Sequence, residues 1–140
     1  YPLPAKVIMQ LNYGFQRGEK YAGLYSLIHE SPWGQFVSLS PCFRLFKIKA
    51  DLTHKGWQPV NHCNIIYFDA FGPDKQPEMW TPAIFSEIFK ITLSGGVFVT
   101  YSSKGDVRRG LISAGFRIER LPGPPGKKEM LRGIKVRSDI

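Results

Sequence analysis

Apolar residues recur along this chain with two periods, and the change of period divides it. Val7, Ile8, Leu11 and Phe15 fall at i, i+1, i+4 and i+8 between Ala5 and Phe15, and Tyr21, Leu24, Tyr25 and Ile28 keep a helical spacing of i, i+3, i+4 and i+7 beyond Gly18. Both sets predict helices with a core-facing stripe, the second closed by Ser31-Pro32. From Trp33 to Asp51 the period shortens. Phe36-Val37-Ser38-Leu39 and Phe43 to Ile48, on either side of Ser40-Pro41-Cys42, predict two strands joined by a short turn.

The second half alternates short apolar runs with helical stripes, the pattern of a parallel sheet covered by helices. Asn64 to Asp69 predicts a buried strand. Thr81-Pro82 opens a helix with Ile84, Phe85, Ile88 and Phe89 on one face, Gly95-Gly96 ends it, and Val97 to Tyr101 is the next strand. Ser103 and Asp106 have capping-box spacing before a helix that turns Val107, Leu111 and Ile112 inward and stops at Gly115. Phe116 to Leu121 and Glu129 to Val136 predict a hairpin around the Pro-Gly loop 122–126, which makes one edge of the sheet antiparallel. No internal repeat interrupts this order, and 140 residues with 43% hydrophobic content suit a single domain over 1–140.

Charge adds a partner class. The formal net charge is +8, and from Lys104 onward ten basic residues face four acidic ones, so six of the eight net charges lie in the last quarter. A polyanion is the expected partner, the alternative being a solvated basic surface. Cys42 and Cys63 lack CxxC spacing, and His29, His54 and His62 are scattered, so no metal site is expected. No apolar run approaches the roughly 18 residues of a membrane span, and YPLPAKVIMQ is unlike a secretory leader. The expectation is a soluble, cytoplasmic protein.

In open α/β sheets, ligands bind at the carboxyl ends of the strands, where Asp69 and Tyr101-Ser102-Ser103 stand; Asp51 follows the strand ending at Ile48. After four apolar residues, a partly buried Asp69 could bind a cationic cofactor, orient an amine or accept a proton; equally, it could cap the loop through backbone amides. Phe71 and Trp80 flank a loop stiffened by Pro73 and Pro77. They suit the walls of a pocket for a flat base, or plugs in the core beneath the helix.

Several blocks occur in one order over about residues 33 to 133. They are Ile66 to Pro73, Gln76 to Thr81, Gly95 to Tyr101, Val107-Arg108-Arg109, Ala114-Gly115-Phe116 and Gly126 to Leu131. Together they resemble the MnmC-type methyltransferases. The resemblance implies an α/β, Rossmann-like class I methyltransferase fold, with a mostly parallel sheet and an antiparallel last strand. It implies S-adenosyl-L-methionine as cofactor and methyl transfer to the aminomethyl nitrogen of a modified wobble uridine in the anticodon stem-loop of tRNA. An oxidoreductase acting upstream in the same pathway is a further expected partner. No GxGxxG for a fused flavin domain occurs.

Carried over by position, Asp69 matches the acid that places the amine beside the methyl donor, Asp51 the acid near the adenine, and Lys127, Lys128, Glu129 and Met130 the block that closes the pocket. Asp51, Asp69, Ala70 and Phe71 are the expected cofactor contacts. Phe71, Trp80, Lys104, Arg108, Lys127 and Lys128 are the expected substrate contacts; since Arg108 and Arg109 are adjacent on a helix, at most one of them faces RNA while the other forms a salt bridge. By the resemblance, Gly72 stands where relatives more often carry Ala or Ser. The glycine-rich loop after the family's first strand and the acid after its second are not found, and Tyr1-Pro2-Leu3 resembles the segment that follows that acid. The expectation is therefore the C-terminal portion of a methyltransferase domain, without its first two strands. Two rival readings remain. One is a basic α/β module that binds RNA or protein without catalysis, with Asp69 as a loop cap; the other is a methyltransferase acting on another amine.

Overall fold

In the computed structural model, which describes residues 2–11, 13–14, 16, 18–54, 57 and 61–137, the chain divides into two units, Tyr1–Ala50 and Asp51–Ile140. Tyr1, Phe15 of the first apolar stripe and Asp139 of the terminal charge count lie outside the described residues.

The first unit holds α1 (Ala5–Gln10), α2 (Glu19–Glu30), β1 (Phe36–Ser40) and β2 (Phe43–Phe46). α1 ends early because Leu11 is extended, with φ −81° and ψ 109°. The apolar stripes do not reach a core, since neither helix contains a buried residue. What joins the helices is local: the Tyr25 hydroxyl donates to the Ile8 carbonyl at 3.1 Å. Lys47 Nζ donates to the Ile28 and His29 carbonyls, both at 2.9 Å, placing a cation at the negative end of α2. β1 and β2 form the antiparallel hairpin that the period-2 pattern predicts, with Phe36 and Phe46 paired and their rings 4.8 Å apart.

The second unit contains β3 (Cys63–Phe68), a 3-10 turn (Pro77–Trp80), α3 (Pro82–Ile91), β4 (Thr92–Thr100), α4 (Gly105–Ala114), β5 (Arg117–Pro122) and β6 (Glu129–Ile134). The strands form one sheet in the order β3-β4-β6-β5. β4 pairs parallel with β3, and β6 runs antiparallel to both β4 and β5, so three strands share a direction and the last opposes them. This is the α/β sheet that the alternation predicts, and its mixed order has a direct consequence. The carboxyl ends of β3, β4 and β5 and the start of β6 all lie at one end of the sheet.

The core fills the space between one face of this sheet and the helix pair α3 and α4. Phe68, Phe98, Phe116 and Leu131 meet Ile84, Phe85, Ile88, Val107 and Leu111 there. Burying one such side chain is worth about 1.5–3 kcal/mol. The Thr81 side chain accepts from the Ile84 amide at 3.4 Å as the N-cap of α3, as Thr-Pro predicts.

Several details differ from the pattern. β3 stops at Phe68, leaving Asp69 outside the strand. α3 ends at Ile91 and β4 runs through Gly95-Gly96; Gly95, at φ 79°, donates its amide to the Lys135 carbonyl while the Gly96 carbonyl accepts from the Lys135 amide, and a Cβ on Gly96 would come within 2.8 Å of the Leu93 carbonyl. These glycines bend a strand and do not stop a helix. The capping box is absent, for the N-cap of α4 is Lys104 and has no side-chain cap; Asp106 instead pairs with Arg109. Ile112 points outward and is exposed, while Gly115 ends α4 in the left-handed conformation as expected.

Candidate functional site

Asp69 ends up in solvent because of the residue before it. Strand side chains alternate, Phe68 is drawn into the core, and the chain leaves β3 at the next position. Asp69 is exposed, which corrects the expectation of partial burial, and its carboxylate has no hydrogen bond or ion pair among the described residues. Phe71, two residues on, is 76% exposed.

The backbone carrying these two side chains is nonetheless held from below. The Tyr101 hydroxyl donates to the Ala70 carbonyl at 2.8 Å, and Trp80 Nε1 donates to the Phe71 carbonyl at 2.7 Å. Two consecutive carbonyls are thus each fixed by an aromatic donor from another element. Trp80 is only 8% exposed and packs edge-on against Phe68 at 5.1 Å and against Tyr101 at 6.2 Å. It is the core plug of the two roles open to it, underlying the loop as floor and not standing free as a wall. Further along the loop, Lys104 forms an ion pair with Asp74. A Cβ on Gly72 would sit 3.5 Å from the Tyr101 hydroxyl, an ordinary contact, so Ala or Ser would fit there.

The loop between β5 and β6 meets the same place. Lys127 Nζ lies 4.3 Å from the centroid of the Tyr101 ring, a cation–π contact, while the other edge of that ring holds Ala70. Asp69, Ala70, Phe71, Trp80 and Lys127 are therefore joined through Tyr101, and Lys104 through Asp74. Tyr101, singled out in the sequence only by its strand-end position, is not among the expected cofactor or substrate contacts. Its sequence signal is its place directly after β4, next to β3 in the sheet.

Asp51, Arg108 and Lys128 are not linked to this loop by any hydrogen bond, ion pair or ring contact among the described residues. Asp51 is engaged in its own turn: it accepts from the Thr53 hydroxyl at 2.7 Å and the Thr53 amide at 2.9 Å, with His54 Nδ1 at 3.0 Å. The Thr53 hydroxyl and amide hold its carboxyl below the usual aspartate range. Arg108 is half-buried and Lys128 exposed, both without an ion-pair partner among the described residues, whereas Arg109 pairs with Asp106. The Arg109 pair is the salt bridge expected of one of the two adjacent arginines.

Much of the remaining basic charge is already matched. Glu119 pairs with Arg132, whose Nε is 2.8 Å away, and with Arg117 at 2.7 Å; its carboxyl is held below the usual range by the Arg132 hydrogen bond first and by Arg117 after it. Arg120 lies 3.6 Å from Glu129. Lys135 Nζ donates to the Phe89 and Thr92 carbonyls. Among the described residues no cluster of three metal-ligating side chains occurs, and no helix is long and apolar enough to cross a membrane.

Comparison with known proteins points one way. The model of a family described as S-adenosyl-L-methionine-dependent methyltransferase matches residues 45–136. The tRNA 5-methylaminomethyl-2-thiouridine biosynthesis bifunctional protein MnmC of Stutzerimonas stutzeri is 49% identical over 67 residues, 48% of this chain and 10% of the relative. Its counterpart in Actinobacillus pleuropneumoniae is 39% identical over 76 residues, 54% of this chain and 11% of the relative. The chain thus spans about a tenth of the length of these curated relatives. The crystal structure of MnmC2 from Aquifex aeolicus superimposes with a TM-score of 0.65 at 23% identity, over 82% of this chain and 37% of that one, which supports the fold alone.

Proposed function

Because this chain belongs to the S-adenosyl-L-methionine-dependent methyltransferase family, whose model covers residues 45–136, we propose that it takes part in methylating the aminomethyl nitrogen of a modified wobble uridine in tRNA. The observation that carries the reading is the unpartnered carboxylate of Asp69, on a loop pinned at two successive carbonyls and beside the exposed ring of Phe71. A free carboxylate there is suited to cations, and both the sulfonium of the methyl donor and the ammonium formed on methyl transfer are cationic. The two MnmC relatives are named for this tRNA modification, which supplies the substrate class.

The residues present fit the reacting side of S-adenosyl-L-methionine. Asp69, Ala70 and Phe71 would hold it, and Asp51, whose carboxylate is oriented by Thr53, would accept from the adenine amino group. When bound, the cofactor supplies an electrophilic methyl group on a positively charged sulfur. Asp69 orients the amine in its neutral form, since the protonated alkylamine that prevails at pH 7 has no lone pair to attack with. After methyl transfer the Asp69 carboxylate would stabilise the ammonium left on the amine, which would then release its proton to water. Phe71 would stack on the flipped base above the floor made by Trp80. Arg108, Lys127 and Lys128, with Lys104 exchanging Asp74 for phosphate, would position the tRNA backbone.

On this reading residues 1–140 form the C-terminal portion of one methyltransferase domain in a cytoplasmic protein, and an oxidoreductase earlier in the pathway prepares the amine. The test is transfer of labelled methyl groups by the full-length protein to tRNA from a strain lacking the modification. Label in the wobble nucleoside is expected. Label in a small amine or a protein instead would replace the substrate, and binding of tRNA with no transfer would favour the non-catalytic module.

A further inference from the structure

The loop from Asp69 to Gln76 raises a physical problem that its own sequence does not solve. Its functional side chains are exposed, so packing does not hold them, yet orientation of a reacting group to within a fraction of an ångström is worth orders of magnitude in rate. Free rotation of the peptide planes after Asp69 would move both its carboxylate and the Phe71 ring. Two donors prevent that rotation, one on the Ala70 carbonyl and one on the Phe71 carbonyl. The Trp80 donor is part of the core, and its neighbours Phe68 and Phe85 fix it at ring distances of 5.1 and 6.5 Å. The Tyr101 donor is different. It is half-buried at the site, 31 residues away in sequence, and its ring carries the Lys127 ammonium on its face.

We infer that Tyr101 is a positioning residue for methyl transfer: its hydroxyl locks the Asp69–Phe71 backbone, and its ring seats Lys127, so that the cationic β5–β6 loop and the reacting carboxylate are held by one side chain. The inference rests on the methyltransferase reading above. It adds that the hydroxyl and the ring have separable effects. Removing only the hydroxyl frees the Ala70 carbonyl and leaves the seat for Lys127. Removing the ring as well releases Lys127 and, with it, part of the hold on substrate phosphate.

The experiment compares Tyr101→Phe and Tyr101→Leu with wild type in the full-length protein, at a temperature below the unfolding transition of both variants. Tyr101→Phe is expected to lower kcat by about tenfold to a hundredfold, with KM for tRNA nearly unchanged. Tyr101→Leu should show the same loss of kcat and an added rise in KM for tRNA, matched by Lys127→Met alone. A merely structural role would not produce this split between kcat and KM. Amide hydrogen exchange gives a second reading. Lys75 and Gln76 donate to the Gly72 carbonyl at 2.8 and 3.0 Å, and their exchange should accelerate in Tyr101→Phe while that of β4 does not. Wild-type kcat in Tyr101→Phe, or unchanged exchange at these two amides, overturns the inference. Absence of transfer by the wild type would instead sink the methyltransferase reading, and the exchange measurement would still decide whether Tyr101 holds the loop.

Discussion

Phe68 and Asp69 show how one backbone step separates packing from chemistry. The ring is taken into the core by strand alternation, and the carboxylate that follows is delivered to solvent at the end of β3. Its place was legible because a charged residue after an apolar run at a strand end is a local pattern. Its surroundings were not, because both hydrogen bonds that fix the loop come from residues distant in sequence, Trp80 and Tyr101. In the full-length protein, Asp69→Asn keeps the shape and removes the charge. Turnover is expected to fall by about a hundredfold or more, with unfolding by urea little changed, since the side chain is exposed and unpartnered. Turnover near wild type would remove Asp69 from the reaction.

The elements of the second unit depend on close approaches that a one-dimensional pattern does not report. α3 and α4 meet where Gly110 faces Phe85, and a Cβ on Gly110 would lie 2.8 Å from that fully buried ring. Gly110→Ala gains up to about 1 kcal/mol in helix propensity but overpacks the core at a cost of about 1–3 kcal/mol. Net destabilisation is expected in urea unfolding, and a more stable variant would show that Phe85 can yield. The β5–β6 ribbon has an electrostatic counterpart in Glu119. Its carboxyl is held below the ordinary value of 4.5 by Arg132 and Arg117, so the stability it adds is complete above pH 4.5 and is lost as pH falls through its lowered folded value. Glu119→Gln should therefore be less stable than wild type at pH 7, and the gap should narrow as pH is lowered below 4.5. A gap that does not change with pH would assign the effect to packing. Gly95-Gly96 and Ser103–Asp106 were misread for a shared reason. Both are signals of helix ends, but Thr92 already begins β4, where Cys63 pairs with it, and Lys104 takes the N-cap of α4 without any side-chain cap.

At the scale of the molecule, the net charge of +8 overstates what a nucleic acid would meet. Arg117, Arg120 and Arg132 are matched by Glu119 and Glu129, and Lys135 is spent on backbone carbonyls, which leaves Arg108, Lys127, Lys128 and Arg137 without a carboxylate partner among the described residues near the C-terminal end of the chain. Affinity for tRNA should fall linearly with salt on logarithmic axes, and Arg108→Gln or Lys128→Gln should each flatten the slope by about 0.7–0.9, whereas Arg117→Gln should not. An unchanged slope in the first two would mean that they do not reach phosphate. The sequence by itself determined the alternation of strands and helices, the antiparallel final hairpin, the strand-end position of Asp69 and the sign of the charge, because each is fixed by neighbours within a few residues. The tertiary structure alone decided that Trp80 is a floor, that Tyr101 joins Ala70 to Lys127, and which cations remain unpaired. Those outcomes depend on the order β3-β4-β6-β5, which brings the ends of distant strands together, and spacing along the chain carries no record of that meeting.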